Sequence, residues 1–211
     1  GGKVPEITVA DGSRSGGVTV QVLTEGKIKK ILLDQLHKAG EGDRVDMVMF
    51  YLADRDIIDA LKKARNRGAR IRIILDPNKD AFGRVKGGMP NRQAAAELVR
   101  ADIAVRWAMT GKEQQHAKVV TIEGGKGRSF MLLGSANLTR RNLDDLNLET
   151  DVAVRGTGQE EVFSDARSHF SLLWANPDQR RFSAGYEKYA DDSVARILFY
   201  RILEKIGMCT F

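Results

Sequence analysis

Residues 45–78, VDMVMFYLADRDIIDALKKARNRGARIRIILDPN, decide the fold. Residues 45–52 form an apolar run suited to a strand covered on both faces. Asp54 stands where a helix N-cap belongs, ahead of a helix over 57–66, and Gly68 is placed to end it. Residues 69–75 make a second strand, closed by the turn sequence Asp76-Pro77-Asn78. Strand, helix and strand in this order specify parallel strands joined by a right-handed crossover.

The same alternation extends in both directions. Upstream, a strand over 18–23 precedes a helix over 27–39, with Ile28, Ile31, Leu32 and Leu36 at helical spacing. Downstream, a loop over 79–90 carries Gly83, Gly87, Gly88 and Pro90 and leads to a helix at 92–99 and a strand at 103–108. Strands at 116–122 and 130–133 flank a Gly-rich turn at 124–127. A helical segment at 139–146, a strand at 150–154 and helices at 160–174 and 192–206 complete the pattern. The expected fold class is α/β, with a mixed, mostly parallel sheet sandwiched between helices. Three segments are expected: a leader or linker at 1–16, one domain at 17–178 and a C-terminal helical extension at 179–211. The start, Gly-Gly-Lys-Val-Pro, has neither an initiator Met nor an apolar signal core, and reads as the processed or excised end of a longer chain.

With 211 residues, 42% hydrophobic and 29% charged, the chain can bury a real core. No window approaches the ~20 apolar residues of a membrane-spanning helix. The net charge of +6 suits anionic partners such as nucleic acid, lipid headgroups or other phosphates, and serves plain solubility equally well. The one cysteine, Cys209, can form no internal disulfide, so the compartment stays open.

The residues that carry chemistry are His116-Ala117-Lys118, then Gly134-Ser135-Ala136-Asn137, then Asn147-Leu148-Glu149. Positions i and i+2 of a strand share a face, so His116 and Lys118 project together. If the turn at 124–127 closes a hairpin, Ser135 and Asn137 return to the same end, and Glu149 enters on the next strand. This set suits attack on a phosphodiester. A neutral imidazole is a competent nucleophile, and an imidazolium a competent acid for the leaving alkoxide. Lys118 and Asn137 can hold the non-bridging oxygens, and Glu149 can fix the imidazole tautomer.

In order and spacing these elements resemble the HKD signature of the phospholipase D superfamily, whose members include phospholipases, cardiolipin and phosphatidylserine synthases and small endonucleases. The specific motif spans about 35 residues, and the strand–helix order from 18 to 174 also fits the family. The resemblance implies a phosphodiesterase or phosphatidyltransferase acting through a phosphohistidine intermediate. It implies no metal or other cofactor. Its catalytic residues would be His116, Lys118, Ser135, Asn137 and Glu149, with Glu123 and Gly134 as structural parts of the motif. The expected substrate is phospholipid, because the spacing from Gly134 to Glu149 looks closer to the synthase and lipase branch. A nucleic-acid substrate and a catalytically silent phosphate-binding or dimerisation half are the alternatives.

Two departures matter. Glu123 replaces the usual aspartate five positions after the lysine, with a longer spacer to Gly134 that the turn at 124–127 would absorb. There is also only one HxK. Family members pair two, so a second HxK-bearing half or a homodimer mate is an expected partner. As the C-terminal half of a longer protein, the chain would use His116 as the leaving-group acid. In a homodimer His116 would serve both roles.

Blander readings apply elsewhere. His37 and His169 read as structural. Ser135 lacks a G-x-S-x-G elbow and is better placed as a hydrogen-bond partner than as a nucleophile. Residues 124–129 lack P-loop spacing, and the sequon Asn137-Leu138-Thr139 reads as coincidence. Arg140 and Arg141 fit a phosphate contact or a solvated helix start about equally. On the last helix, Leu198, Phe199, Ile202, Leu203 and Ile206 form a stripe expected to pack on the body or the other half, with peripheral membrane contact as the alternative.

Overall fold

The computed structural model describes residues 17–77, 80–81, 84–85, 88–111, 113–125, 127–144 and 146–205. The leader over 1–16 and Ile206 lie outside them. An eight-stranded sheet is built from β1 (Thr19–Thr24), β2 (Arg44–Met49), β3 (Arg70–Leu75), β6 (Ala104–Ala108), β7 (Lys118–Gly124), β8 (Arg128–Gly134), β9 (Thr150–Gly156) and β10 (Ser183–Gly185). A separate two-stranded ladder, β4 (Asp80–Ala81) with β5 (Arg84–Val85), lies in the loop after β3. The sheet order is β1-β9-β8-β7-β2-β3-β6-β10.

The α/β class and the interleaved helices are as expected, but the sheet is mostly antiparallel. Among the described strands of this sheet, β2–β3 and β3–β6 are the parallel pairs. The physical reason is connectivity. β2, β3 and β6 are joined by crossovers through α2 (Arg55–Asn66) and α3 (Asn91–Arg100). A tight turn with Gly127 at φ 65° instead folds β7 back on β8, so those strands pair antiparallel. β9 and β1 continue in that sense, and β10 adds an antiparallel edge to β6. The segment after 178 therefore supplies a sheet strand as well as helix α6 (Val194–Lys205).

Strand alternation sorts side chains between two unequal faces. One face carries Val45, Met47, Met49, Ile71, Ile73, Leu75, Trp107, Val120, Ile122, Phe130, Leu132 and Ala153. It packs under α1 (Gly26–Lys38), α2 and α3 as the main core. The other face is covered by α5 (Glu161–Ala175), whose Phe163 and Phe170 meet Met131, Val154, Val48 and Ile74. α2 starts as expected: Asp54 Oδ1 accepts from the Ile57 N–H at 3.0 Å. Lys29 on α1 pairs with Asp54, Asp56 and Asp144, each at 2.9 Å, tying α1 to the turns beside the sheet end described next.

α6 meets the body through residues other than Leu198, Phe199 and Ile202 of the expected stripe. Ile197 and Tyr200 face the body, and the Tyr200 hydroxyl donates to Ala53 O at 3.0 Å. Leu198, Phe199 and Ile202 point outward and are more than half exposed. No helix among the described residues is long and apolar enough to cross a membrane.

Candidate active site

One end of the sheet collects the chemistry. The C-terminal tips of β2, β3 and β8 and the N-terminal ends of β7 and β9 all lie there, because β7 and β9 run against their neighbours. Met49 pairs with Lys118, and Val119 with Leu133, which puts Gly134 level with Lys118. Gly134 pairs in turn with Asp151. A Cβ at 134 would overlap Asp151 and the Thr150 carbonyl, so the close strand approach requires glycine.

His116 and Lys118 are brought together as the i, i+2 spacing requires, although β7 begins only at Lys118 and His116 stands just ahead of it. The strand stops there because β2, its ladder partner, ends at Met49. Lys118 is 6% exposed, whereas His116 is exposed. The ammonium Nζ lies 3.3 Å from His116 Nδ1 and 3.4 Å from Nε2, and donates to His116 O at 2.8 Å. The Phe50 ring backs both groups, 4.7 Å from the imidazole centroid and 5.3 Å from Nζ. Burial, then the Lys118 charge, hold the His116 pKa below its ordinary value, against an opposing pull from Asp76. Burial likewise lowers Lys118, opposed by Glu149 and Asp151. Burial thus works against the charged form of both groups.

Glu149 stands just ahead of β9, and its carboxylate is engaged elsewhere than on the imidazole. One oxygen accepts from the Ser135 hydroxyl and the other from the Asn142 amide. Ser135 Oγ also accepts from Thr150 N at 3.0 Å, so the hydroxyl is a relay in this network. Asn142 lies in the helical turn α4 (Arg140–Leu143) and is fixed by Thr139 Oγ1 at 2.6 Å. The segment carrying Asn137 crosses the tip of β2, where the Leu138 N–H donates to Tyr51 O and Leu138 O accepts from the Ala53 and Asp54 N–H groups. Asn137 Oδ1 is buried, with no hydrogen-bond partner among the described residues. Asp151 is buried as well. Burial first, with the Glu149 charge, raises its pKa, while the Ala136 N–H that it accepts at 3.0 Å stabilises the anion.

Glu123 lies at the far end of β7, five residues from Lys118 or roughly 17 Å. Its carboxylate accepts from Arg44 of β2 at 2.7 Å and pairs with Arg167 of α5. The added methylene supports reach to both arginines. Replacing Glu123 by Ala takes a partner from Arg167 and one of the two from Arg44, which keeps Asp46 at 3.2 Å, and should cost about 1–2 kcal/mol. The expected result is a Tm lower by ~2–8 °C with turnover per folded molecule unchanged, read by thermal melts beside initial rates. A tenfold loss of turnover without a change in Tm would refute the distant role.

Three further contributors were not legible from local pattern. Asn142 stood in the stretch between Ser135 and Glu149, and Asp151 shares the Glu149 face by strand alternation. Asn91 is the third. Fully buried at the start of α3, it accepts from Leu52 N at 2.9 Å and donates to Phe50 O at 2.6 Å and Asp76 O at 2.8 Å. This amide pins the tips of β2 and β3 beneath His116. His37 is exposed on α1, and His169 is exposed on α5, where it lines a trough together with Gln115 and Ala117, the neighbours of His116.

Comparison with known proteins agrees with this architecture. Residues 32–174 match the model of the family described as cardiolipin synthase, PLD-like domain. The chain therefore belongs to the phospholipase D-like family, whose members are phosphodiesterase- or phosphotransferase-type enzymes. Among solved structures, the phospholipase D family member Nuc from Salmonella typhimurium is 20% identical with TM-score 0.63, covering 81% of this chain and 99% of its own. NucT from Helicobacter pylori is 17% identical with TM-score 0.58, covering 80% and 99%. Phosphatidylserine synthase from Haemophilus influenzae Rd KW20 is 14% identical with TM-score 0.61, covering 92% of this chain and 46% of its own. No curated protein matches the chain.

Proposed function

We propose that the chain is the HxK-bearing unit of a phosphodiesterase or phosphatidyltransferase acting on phospholipid without a metal. The observation that carries the proposal is the His116–Lys118 pair, an exposed imidazole with a buried ammonium 3.3 Å from its ring nitrogen. In the first step an imidazole nitrogen attacks phosphorus and the bond to the leaving alkoxide breaks. A second imidazolium gives that alkoxide its proton. Water or an alcohol, deprotonated by the same second imidazole, then displaces the histidine and restores it. Lys118 and Asn137 stabilise the charge on the non-bridging oxygens. Ser135 and Asn142 hold Glu149, whose charge faces Lys118.

The choice of phospholipid rests on the matched family description and on the outward apolar residues of α6, which suit contact with a lipid surface. Turnover of a phospholipid and of a DNA substrate in EDTA, for wild type and His116→Ala, is the test. Cleavage of DNA alone, falling steeply with salt, would establish the nuclease alternative. Equal rates in wild type and variant would establish a silent scaffold.

The second imidazole must come from another unit, and the α5 face is its proposed seat. Val22, Val152, Leu133, Val119 and Val48 line up through successive pairings across five strands on that face. Val22 is 41% exposed, and the row continues into a trough of about 350 Å³ beside α5, lined by Val119, Met131, Leu133 and Phe170. The expected result is that wild type is a dimer by light scattering. Val22→Asp with Leu133→Asp should give a folded monomer with turnover reduced ~100-fold or more, because the acid and nucleophile no longer meet. An active wild-type monomer would contradict this.

A further inference from the structure

We propose that α6 is a bilayer seat, with Leu198, Phe199 and Ile202 entering the lipid surface and Arg196 and Arg201 on its phosphates. The inference rests on phospholipid as the substrate, as proposed above, and adds where the bilayer lies. α6 falls outside residues 32–174, the part of the chain that matches the family.

At 100° per residue, Leu198, Phe199 and Ile202 share one side of the helix, each more than half exposed, opposite the buried Ile197 and Tyr200. Arg196 and Arg201 stand on the two borders between these sides. In each of their ion pairs the arginine is the exposed member. The Arg196 side chain is 65% exposed and that of Asp191 10%, while Arg201 is 47% exposed and Glu97 7%. The carboxylates are sunk beneath the guanidinium groups, so the charge presented along both borders of the apolar stripe is positive. A helix that lies in a bilayer interface has this pattern: hydrocarbon reaches the acyl boundary, and bordering cations meet lipid phosphates.

A second protein surface fits less well. Three half-exposed side chains offer roughly 300 Å² of apolar surface. A stable protein interface takes roughly 800 Å² from each partner. The second HxK-bearing unit also has its proposed seat on the α5 face, across the sheet from α3, on which α6 packs.

The seat is fastened to the catalytic end. Tyr200 donates to Ala53 O, and the Ala53 N–H donates at 2.7 Å to the carbonyl of Leu138, the residue after Asn137. Glu97 of α3 clamps α6 to α2, accepting from Arg201 at 3.2 Å and from Arg55 at 2.8 Å. An open trough of mixed charge connects Arg201 with Arg140 of α4, the turn that carries Asn142. A bilayer under α6 therefore lies beside the sheet end that bears His116, not the end that bears Glu123.

The test is flotation of the full chain with vesicles of phosphatidylcholine alone, or of phosphatidylcholine and phosphatidylglycerol in equal parts. Leu198→Gln, Phe199→Gln and Ile202→Gln together change exposed side chains, and matched Tm and circular dichroism establish that the fold holds. Wild type is expected to float, more strongly with the anionic vesicles, and the triple variant to lose ~10-fold or more in affinity. Arg196→Gln should narrow the preference for anionic vesicles and flatten its salt dependence. Turnover of vesicle lipid should fall with binding, and turnover of a short-chain phospholipid dissolved as monomers should fall far less. No flotation of wild type, or equal flotation of wild type and triple variant, would overturn the seat. So would a smaller mass by light scattering for the triple variant with vesicle binding unmoved, the mark of an interface between copies. Failure of the proposed function shows differently: the vesicle-binding results hold, while neither vesicle lipid nor dissolved phospholipid is turned over.

Discussion

His116→Ala is expected to lower phosphodiester turnover in EDTA by at least ~10³-fold, the scale associated with losing a nucleophile or a general acid–base group. His116 is exposed, and its ring makes contacts to Phe50 and Lys118 without filling the core, so the variant should fold. Matched circular dichroism and Tm would establish that, and His37→Ala should keep wild-type rates. The dependence on leaving group then separates the two roles. If His116 serves only as acid, with the nucleophile on another half, a substrate whose leaving group needs no proton should lose far less rate than an alkyl phosphodiester. If two copies of this chain form the site, the substitution removes nucleophile and acid together. Both substrates should then fall alike. Wild-type rates for His116→Ala on every phosphodiester tried would refute the chemistry proposed for this end of the sheet.

The contrast between what was and was not legible in the sequence follows from the range of the interactions. The β2–α2–β3 unit could be read because each signal is local: Asp54 caps three residues ahead, and strand residues alternate about one backbone. The His116–Lys118 and Gly134–Asn137 elements were legible for the same reason. Strand direction was not. Alternation looks the same in parallel and antiparallel strands, and only the turn through Gly127 and the later pairings make β7, β8 and β9 antiparallel. Asp76 and Asn91 lie 40 and 25 residues before His116 and act through buried backbone bonds that no periodicity marks. The engagement of Glu149 depends on Asn142, a residue whose helical turn sets its direction only once Leu138 has crossed the tip of β2.

Lys118→Met should lower kcat and kcat/KM together by ~10²–10³-fold, because an ammonium aimed at developing charge acts in the transition state more than in the ground state. Methionine nearly matches the volume and leaves an apolar side chain at a site that is 6% exposed, so folding should survive. Lys118→Arg should recover little. The lysine Nζ donates to His116 O while lying against both ring nitrogens, and a planar guanidinium cannot occupy that point without displacing the imidazole. The same substitution carries a signed prediction for His116. Burial lowers its pKa first and the Lys118 charge second, so removing that charge should raise the midpoint, with Asp76 left as the opposing influence. Rate and titration must therefore move in opposite directions: turnover falls while the imidazole becomes easier to protonate. A variant that loses turnover with an unmoved midpoint would mean that the ammonium does not act on His116 electrostatically. One that keeps wild-type kcat would remove Lys118 from the chemistry altogether.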